Sequence, residues 1–436
     1  MKKRGYVMNI IYLHTQDLGR CCSPYGYPVK TPNMQRFAED GVVFKNAFCT
    51  APTCSPSRAS LLTGQYPHEL GMLGLTGQGW RINQPEHHLA LFLKKHGYIT
   101  GLAGLQHEFE VPPEVAPYDV DSWATVGKEQ NGRHLDTDEA IKFIRENTDN
   151  KFFLSVGLYE NHHHVWQDTC DKMSEFYGEP DYRYVRPLPP FPDNPRTRID
   201  AAQFYRSIEY FDMQIGRIMT AVRESGVEDD TLILITTDHG IGMPQIKMNL
   251  TDAGLGVAFM FRGPGIPKGK IVENMVSQLD FVPFLCDYIG IETPEWAVGK
   301  SLMPLIKGED EALHDNLFFE QCHHADFVVP MRAVRTERYK YIKSYFESRS
   351  YADVCSDLGE TYFMLVDAGL GKKKFPEEAL YDLYFDPNEA CNLINDPDYA
   401  EIAETMRGAL SEWQSEVNDI DCYEAAKTDG RNNQNI

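Results

Sequence analysis

The 436-residue chain reads as an α/β protein, a large and mostly parallel sheet sandwiched by helices, followed by a smaller C-terminal α+β domain carrying an antiparallel sheet. Three observations carry this expectation. Short apolar runs such as Phe152 to Leu158 and Thr231 to Thr236 lack the alternation of half-exposed strands and fit strands buried on both faces. Helical patterns alternate with these runs. After about residue 310 the pattern changes to paired strands and a terminal amphipathic helix, which places the domains at 1–310 and 311–436.

Each element has a local reason. Val7 to Leu13 is a buried strand, and Thr31-Pro32 opens a helix with Thr31 as N-cap and Pro32 at the first position. Gly41 ends that helix. A further helix starts near Pro56-Ser57, just after Cys54. Pro85 to His96 is helical and Gly97 stops it. Ile99 to Ala103 is a strand, and Asp136 to Asn147 a helix. Phe204, Ile208, Phe211, Ile215, Ile218 and Val222 form one apolar stripe on a helix from about Ile199 to Val222. Val257 to Phe261 is another strand. The proline-rich stretch from Gly178 to Thr197 predicts an irregular surface loop near the mouth of a site. Met331 to Thr336 and Tyr339 to Ile342 predict a hairpin of exposed strands. Leu380 to Asp386 closes another strand, and Glu401 to Val417 is the terminal helix.

Charge and cysteines bound the function. Lys plus Arg is 42 against 64 for Asp plus Glu, a net charge of −22. So acidic a chain is a poor partner for nucleic acid or anionic membrane, and a small anionic substrate must meet a local positive site. The basic start at Lys2-Lys3-Arg4 precedes an apolar run too short for a signal peptide, and no stretch is apolar enough to span a membrane. The ten cysteines lie at irregular spacings without zinc periodicity. Reduced thiols and a cytoplasmic location are the expectation.

Sites in open α/β sheets gather at the carboxyl ends of strands. Three groups lie at such ends: Gln16-Asp17 after His14-Thr15, Gln106-His107, and Asp238-His239. Asp17 and Asp238 suit a hard divalent cation, and Gln16 and His239 would complete the set, the imidazole shifting preference toward transition metals. Cys54 stands at a helix start, where free amides and the dipole favour a sulfate or phosphate group. Arg58, one turn later, faces the same side. His68 is a further candidate for lining the pocket, whereas His14, His87, His88 and His96 carry weaker signals.

The segment Cys54-Ser55-Pro56-Ser57-Arg58-Ala59-Ser60-Leu61-Leu62-Thr63-Gly64 resembles the formylglycine-dependent sulfatases of the alkaline phosphatase superfamily. The resemblance runs from about Asn9 to Pro304 and again through Arg335 to Ile342 and Leu380 to Leu383. It implies that Cys54 is oxidised by a formylglycine-generating maturation enzyme to an aldehyde whose hydrate is the nucleophile. It also implies one divalent metal ion, calcium in most of the family. Gln16 stands where the family has a first aspartate, which leaves manganese, magnesium and zinc as alternatives.

Further roles come from the same resemblance. Arg58 stabilises the hydrate, and Lys247, before Leu250-Thr251-Asp252-Ala253-Gly254, contacts the sulfate. His107 matches a histidine of the family's Gly-Lys-Trp-His, with Leu105 in the lysine position. His162, in Asn161-His162-His163-His164, takes the place of a general acid at the leaving group, with His163 next to the substrate. Leu62 to Gln65 and Gly71 to Leu75 look most like the heparan N-sulfatase (sulfamidase) group, implying a sulfated sugar such as N-sulfoglucosamine. The rivals are a phosphonate or phosphate monoester hydrolase of the superfamily, favoured by Gln16 and His239, and an inactive sulfatase-like binding protein, prompted by Leu105.

Overall fold

The computed structural model of the chain describes residues 8–109, 117–121, 135–309 and 312–419. The basic start, Cys422 and the inferred domain boundary at 310–311 lie outside the described residues.

The first sheet has eight strands and the second four. In chain order the elements that matter are β1 (Asn9–Thr15), α1 (Pro32–Glu39), β2 (Val42–Phe48), α2 (Cys54–Thr63), α3 (Leu89–Lys95), β3 (Ile99–Gly104) and β4 (Val120–Asp121). There follow α4 (Leu135–Glu146), β5 (Phe152–Leu158), α5 (Trp166–Tyr177), α6 (Pro195–Glu224), β6 (Thr231–Thr237), β7 (Phe259–Arg262), β8 (Lys270–Ser277) and α7 (Phe281–Ile289). The second part holds β9 (Leu317–His324), β10 (Phe327–Arg335), β11 (Tyr339–Ser344), β12 (Glu378–Asp382) and α8 (Ala400–Glu416).

The large sheet runs β4-β3-β5-β1-β6-β7-β2-β8. It is parallel as expected, apart from β7, which pairs antiparallel with both β6 and β2. An apolar run buried on both faces carries no sign of its direction, so the residues of β7 could not announce this. Side chains alternate across each strand. Ile10 and Tyr12 of β1 enter a core with Leu61 and Leu62 of α2, Leu89 and Phe92 of α3, and Phe281 and Phe284 of α7. Ile11 and Leu13 enter the opposite core with Phe37 of α1, Phe143 of α4, and Phe204, Phe211 and Ile215 of α6.

Several boundaries differ locally. Cys54 does not precede its helix but is its first residue, because Thr53 is extended (φ −151°) and takes the N-cap. The expected helix from Pro85 is a short turn, Pro85–His87, followed by His88 as N-cap of α3, whose Nδ1 accepts the Ala90 N–H. The proline-rich loop ends earlier than expected, since the Asn194 side chain accepts N–H bonds from Arg196 and Thr197 and starts α6 at Pro195.

The second sheet, β12-β11-β10-β9, is antiparallel throughout. Val334, Tyr341 and Leu380 on one face pack on Met406, Leu410 and Trp413 of α8. Met331, Ala333, Ile342 and Ala379 on the other face join the core of the large sheet. The predicted hairpin is therefore not exposed. Arg332 and Lys340 are 1% and 0% exposed. Arg332 is paired with Asp419, and Lys340 with Asp252 and Glu389. Polarity alone signalled solvent; the tertiary fold supplies buried partners instead. No helix among the described residues is long and apolar enough to cross a membrane.

Candidate active site

Strands β3, β5, β1 and β6 are adjacent, parallel and in register, with Thr15 level with Leu158 and Thr237, and Gly104 level with Gly157. Their carboxyl ends open at one place, and the loops after them carry Gln16-Asp17, His107, His162 and Asp238-His239. Gly157 makes room for this crowding. A Cβ there would stand 1.9 Å from the Leu105 carbonyl oxygen and 2.7 Å from His14 Cε1.

The start of α2 brings Cys54 into the same space. Its Sγ lies 3.5 Å from Gln16 Oε1 and 3.5 Å from His239 Nε2. His239 Nε2 is 3.3 Å from Asp17 Oδ1 and 3.7 Å from Asp238 Oδ2. Asp17 is held in the left-handed region (φ +52°), and its N–H donates to Asp238 Oδ1 at 3.0 Å. Ligand atoms of Asp17, Cys54, Asp238 and His239 all fall within 4.8 Å of one another. Ser57 anchors the helix, its hydroxyl donating to the Asp238 carbonyl.

The charges offset one another. Arg58 donates from Nη2 to Asp238 Oδ2 and to the Thr15 carbonyl, both at 3.1 Å, and its Nη1 meets His14 Nδ1 at 2.5 Å. Lys247 Nζ donates to both oxygens of Asp17 at 3.1 Å. Burial raises the Asp238 carboxyl, but His239, Arg58 and Lys247 outweigh it and hold the carboxyl well below the usual range. Burial likewise opposes the His239 charge, yet Asp238, Cys54 and Asp17 bring its pKa up to about 9. Burial, then Arg58, push His107 down to about 4. Burial, then Lys247, hold His162 well below the ordinary histidine value.

His162 lies in the turn after β5, stacked on Tyr159 with ring centroids 5.0 Å apart and against His164 at 4.1 Å. His163 turns toward Trp166 and Gly359 instead. The His68 side chain is buried, with Nδ1 2.7 Å from Glu320 Oε2 and 4.0 Å from Asp419 Oδ1. Leu105, in the position that resembles the family's lysine, is 4% exposed and packs inside.

Sequence reasoning undervalued or missed four residues. His14 was weighted low, yet it contacts Arg58 and its Nε2 lies 3.2 Å from Ser155 Oγ. Glu108, beside His107, is buried, and its carboxyl is held down to about 2 because His88, Arg58 and His14 outweigh its burial. Asp357 and His324 arrive from the C-terminal part, and both interact electrostatically with Lys247 and His162. The pair His323-His324 before the turn at Ala325 marks a strand end, the signal that could have flagged it.

The family model described as "Sulfatase" matches residues 8–291, about two thirds of the chain. The chain belongs to the sulfatase family. These are hydrolases of sulfate esters or sulfamates. A second model, "N-sulphoglucosamine sulphohydrolase, C-terminal", matches residues 247–364, a span that includes Lys247, His324 and Asp357. This sulfatase is 30% identical to N-sulphoglucosamine sulphohydrolase of Homo sapiens over 456 residues, covering 90% of this chain and 86% of the relative. Among solved structures, a protein in complex with its substrate D-glucosamine-2-N,6-O-disulfate superposes with a TM-score of 0.70 at 19% identity, covering 97% of this chain and 99% of the other. Phosphonate monoester hydrolase of Agrobacterium radiobacter superposes at 0.68 with 21% identity, covering 94% and 96%. At these identities the two structures share the fold.

The family implies a metal ion and a formylglycine. The residues fit a divalent cation: two carboxylates, an amide oxygen and an imidazole converge on Cys54, hard oxygen donors with one nitrogen.

Proposed function

We propose that this sulfatase removes sulfate from a sulfated sugar, first of all the N-sulfate of glucosamine, at a formylglycine made from Cys54. The observation that carries the reading is the placing of Cys54: first residue of α2, 3.5 Å from both Gln16 Oε1 and His239 Nε2. The human relative's name and the matching C-terminal family favour the N-sulfate. When present, the formylglycine hydrate supplies a hydroxyl nucleophile able to expel sulfate afterwards, and the cation, calcium or else manganese, magnesium or zinc, supplies positive charge beside it.

The chain's own residues do the rest. Gln16, Asp17, Asp238 and His239 would hold the cation. The uncapped amides of α2, Arg58 and Lys247 offset charge on the transferring group. Lys247 is kept protonated chiefly by Asp17 against its burial, so its ammonium is ready for an anion. His107 stays neutral beside Arg58 and is suited to donate a hydrogen bond. His162 hands a proton to the leaving nitrogen or oxygen. In the free site burial, then Lys247, disfavour its charge; an anionic substrate offsets the Lys247 part and so favours protonation on binding. His163, turned toward Trp166 and Gly359, and buried His68 take no step in this reading.

Cys54 is 2% exposed, so the maturation enzyme must reach it before this segment folds. The nine described cysteines are free thiols, in keeping with a reducing, cytoplasmic setting. We place the catalytic domain at 1–310 and the smaller one at 311–436, the latter supplying His324 and Asp357.

The test is a panel of glucosamine N-sulfate, O-sulfated sugars, aryl phosphate and phosphonate esters, given to protein whose residue 54 has been shown by peptide mass to be formylglycine. N-sulfate should be turned over fastest. Faster turnover of phosphonate esters would move the assignment to the rival that Gln16 and His239 support. Fully matured protein with no turnover of any of them would support the binding-protein reading.

A further inference from the structure

His324 is the last residue of β9 and reaches the site from the second sheet. It is 5% exposed, and its Nδ1 lies 2.5 Å from Thr53 Oγ1. Thr53 is the N-cap of α2. A threonine there ordinarily turns its hydroxyl onto the first amides of its own helix. Thr53 makes no such bond, and its hydroxyl is given to His324 instead. The amides at the start of α2 are thereby left for an anion.

The contact also sets the tautomer. A hydroxyl has one proton, and Nδ1 is the acceptor that the described residues offer Thr53. Were Nδ1 protonated, the Thr53 hydroxyl would be buried without an acceptor, at a cost of about 1–3 kcal/mol. Nδ1 therefore accepts, and the hydrogen of the neutral ring sits on Nε2. Among the described residues nothing accepts from that nitrogen. The titratable groups that act electrostatically on the ring are Lys247, Asp357, His239 and His162, so it shares a neighbourhood with the lysine proposed for the sulfate and the histidine proposed for the leaving group.

We propose that His324 is a substrate-contact residue of this sulfatase, a neutral donor whose Nε2–H binds a non-bridging oxygen of the sulfate group, with Thr53 holding its tautomer. This rests on the sulfate-transfer reading above. It makes the second sheet part of the anion site and ties that sheet to the position of Cys54.

The experiment uses the matured full chain and measures kcat and KM on glucosamine N-sulfate, together with calorimetric affinity for inorganic sulfate. His324→Ala should weaken sulfate binding and kcat/KM about ten- to a hundredfold, the scale of one hydrogen bond to a charged group. His324→Gln, whose amide nitrogen can stand where Nε2 stood, should recover most of the loss, and His324→Asn, whose nitrogen falls short, should not. Thr53→Val should fall between. Thermal melts exclude unfolded variants, and if the alanine variant does not fold, the glutamine, asparagine and valine variants carry the comparison. Sulfate affinity within twofold of wild type in folded His324→Ala, or equal rescue by asparagine and glutamine, would overturn the contact. Those results with a turning-over wild type sink this proposal alone. A matured wild type that neither binds sulfate nor turns over a sulfated sugar sinks the functional reading and the contact with it.

Discussion

Arg58 Nη2 stands 3.1 Å from Asp238 Oδ2, and neither side chain is exposed to solvent. The pair joins the helix that carries Cys54 to the end of β6, so the candidate anion site and the candidate cation site share one ion pair. Removing one partner leaves an unpaired buried charge. Arg58→Met should therefore lose about 3–5 kcal/mol of stability as well as activity. Urea denaturation of this variant checks it; a stability loss under about 1 kcal/mol would show that Asp238 does not depend on the guanidinium.

Cys54→Ser should abolish steady turnover, by about a thousandfold or more, while the melt stays near that of wild type. A serine ester of sulfate has no second hydroxyl to expel the group. Mass spectrometry of the variant after incubation with substrate should reveal sulfate retained at residue 54. Retention of most activity would refute the assignment of Cys54 as the reacting position.

His162→Ala should separate substrates by leaving group. On glucosamine N-sulfate, whose leaving group needs a proton, kcat should fall about 10²- to 10⁴-fold. On nitrophenyl sulfate, whose leaving phenolate is stable unprotonated, the loss should be under about tenfold. Equal losses on both would mean that His162 acts other than by proton donation.

His68 gives a pH signature in stability. Burial opposes its charge, but Glu320, then Asp419, win, and its pKa lies above the ordinary histidine value. A raised folded-state pKa stabilises fully below the unfolded value of about 6.5 and fades as pH rises through the folded value. The urea midpoint of wild type should thus exceed that of His68→Gln most at pH 5.5 to 6, and the difference should shrink toward pH 9. A difference that grows with pH would contradict the ion pair.

The part of the molecule built on the large sheet was legible because its signals are local. Continuous apolar runs located β5 and β6, and glycine, proline and N-cap residues located most helix ends. The motif from Cys54 to Gly64 and the polar pairs that end β1 and β6 named, before any geometry, residues that the structure brings together in the candidate site. Lys340 and Arg332 were misread as exposed because nothing near them in the chain reports Asp252, Glu389 or Asp419, their buried partners. His14 was underweighted for a similar reason: inside an apolar strand, a histidine reads as a satisfied core residue until its contact with Arg58 is seen.

By itself the sequence determined the candidate reacting position and its surroundings in type: a cysteine at a helix start, an arginine one turn on, and carboxylates where strands stop. Periodicity and turn chemistry act over a few residues, so these features are written where they occur. Only the tertiary structure decided which side chains share the space. The register of β3, β5, β1 and β6 brings their ends level, and the second sheet, packed into the same core, delivers His324 to Thr53 across 271 residues of chain. Packing of two apolar faces sets that approach, and no local pattern encodes it.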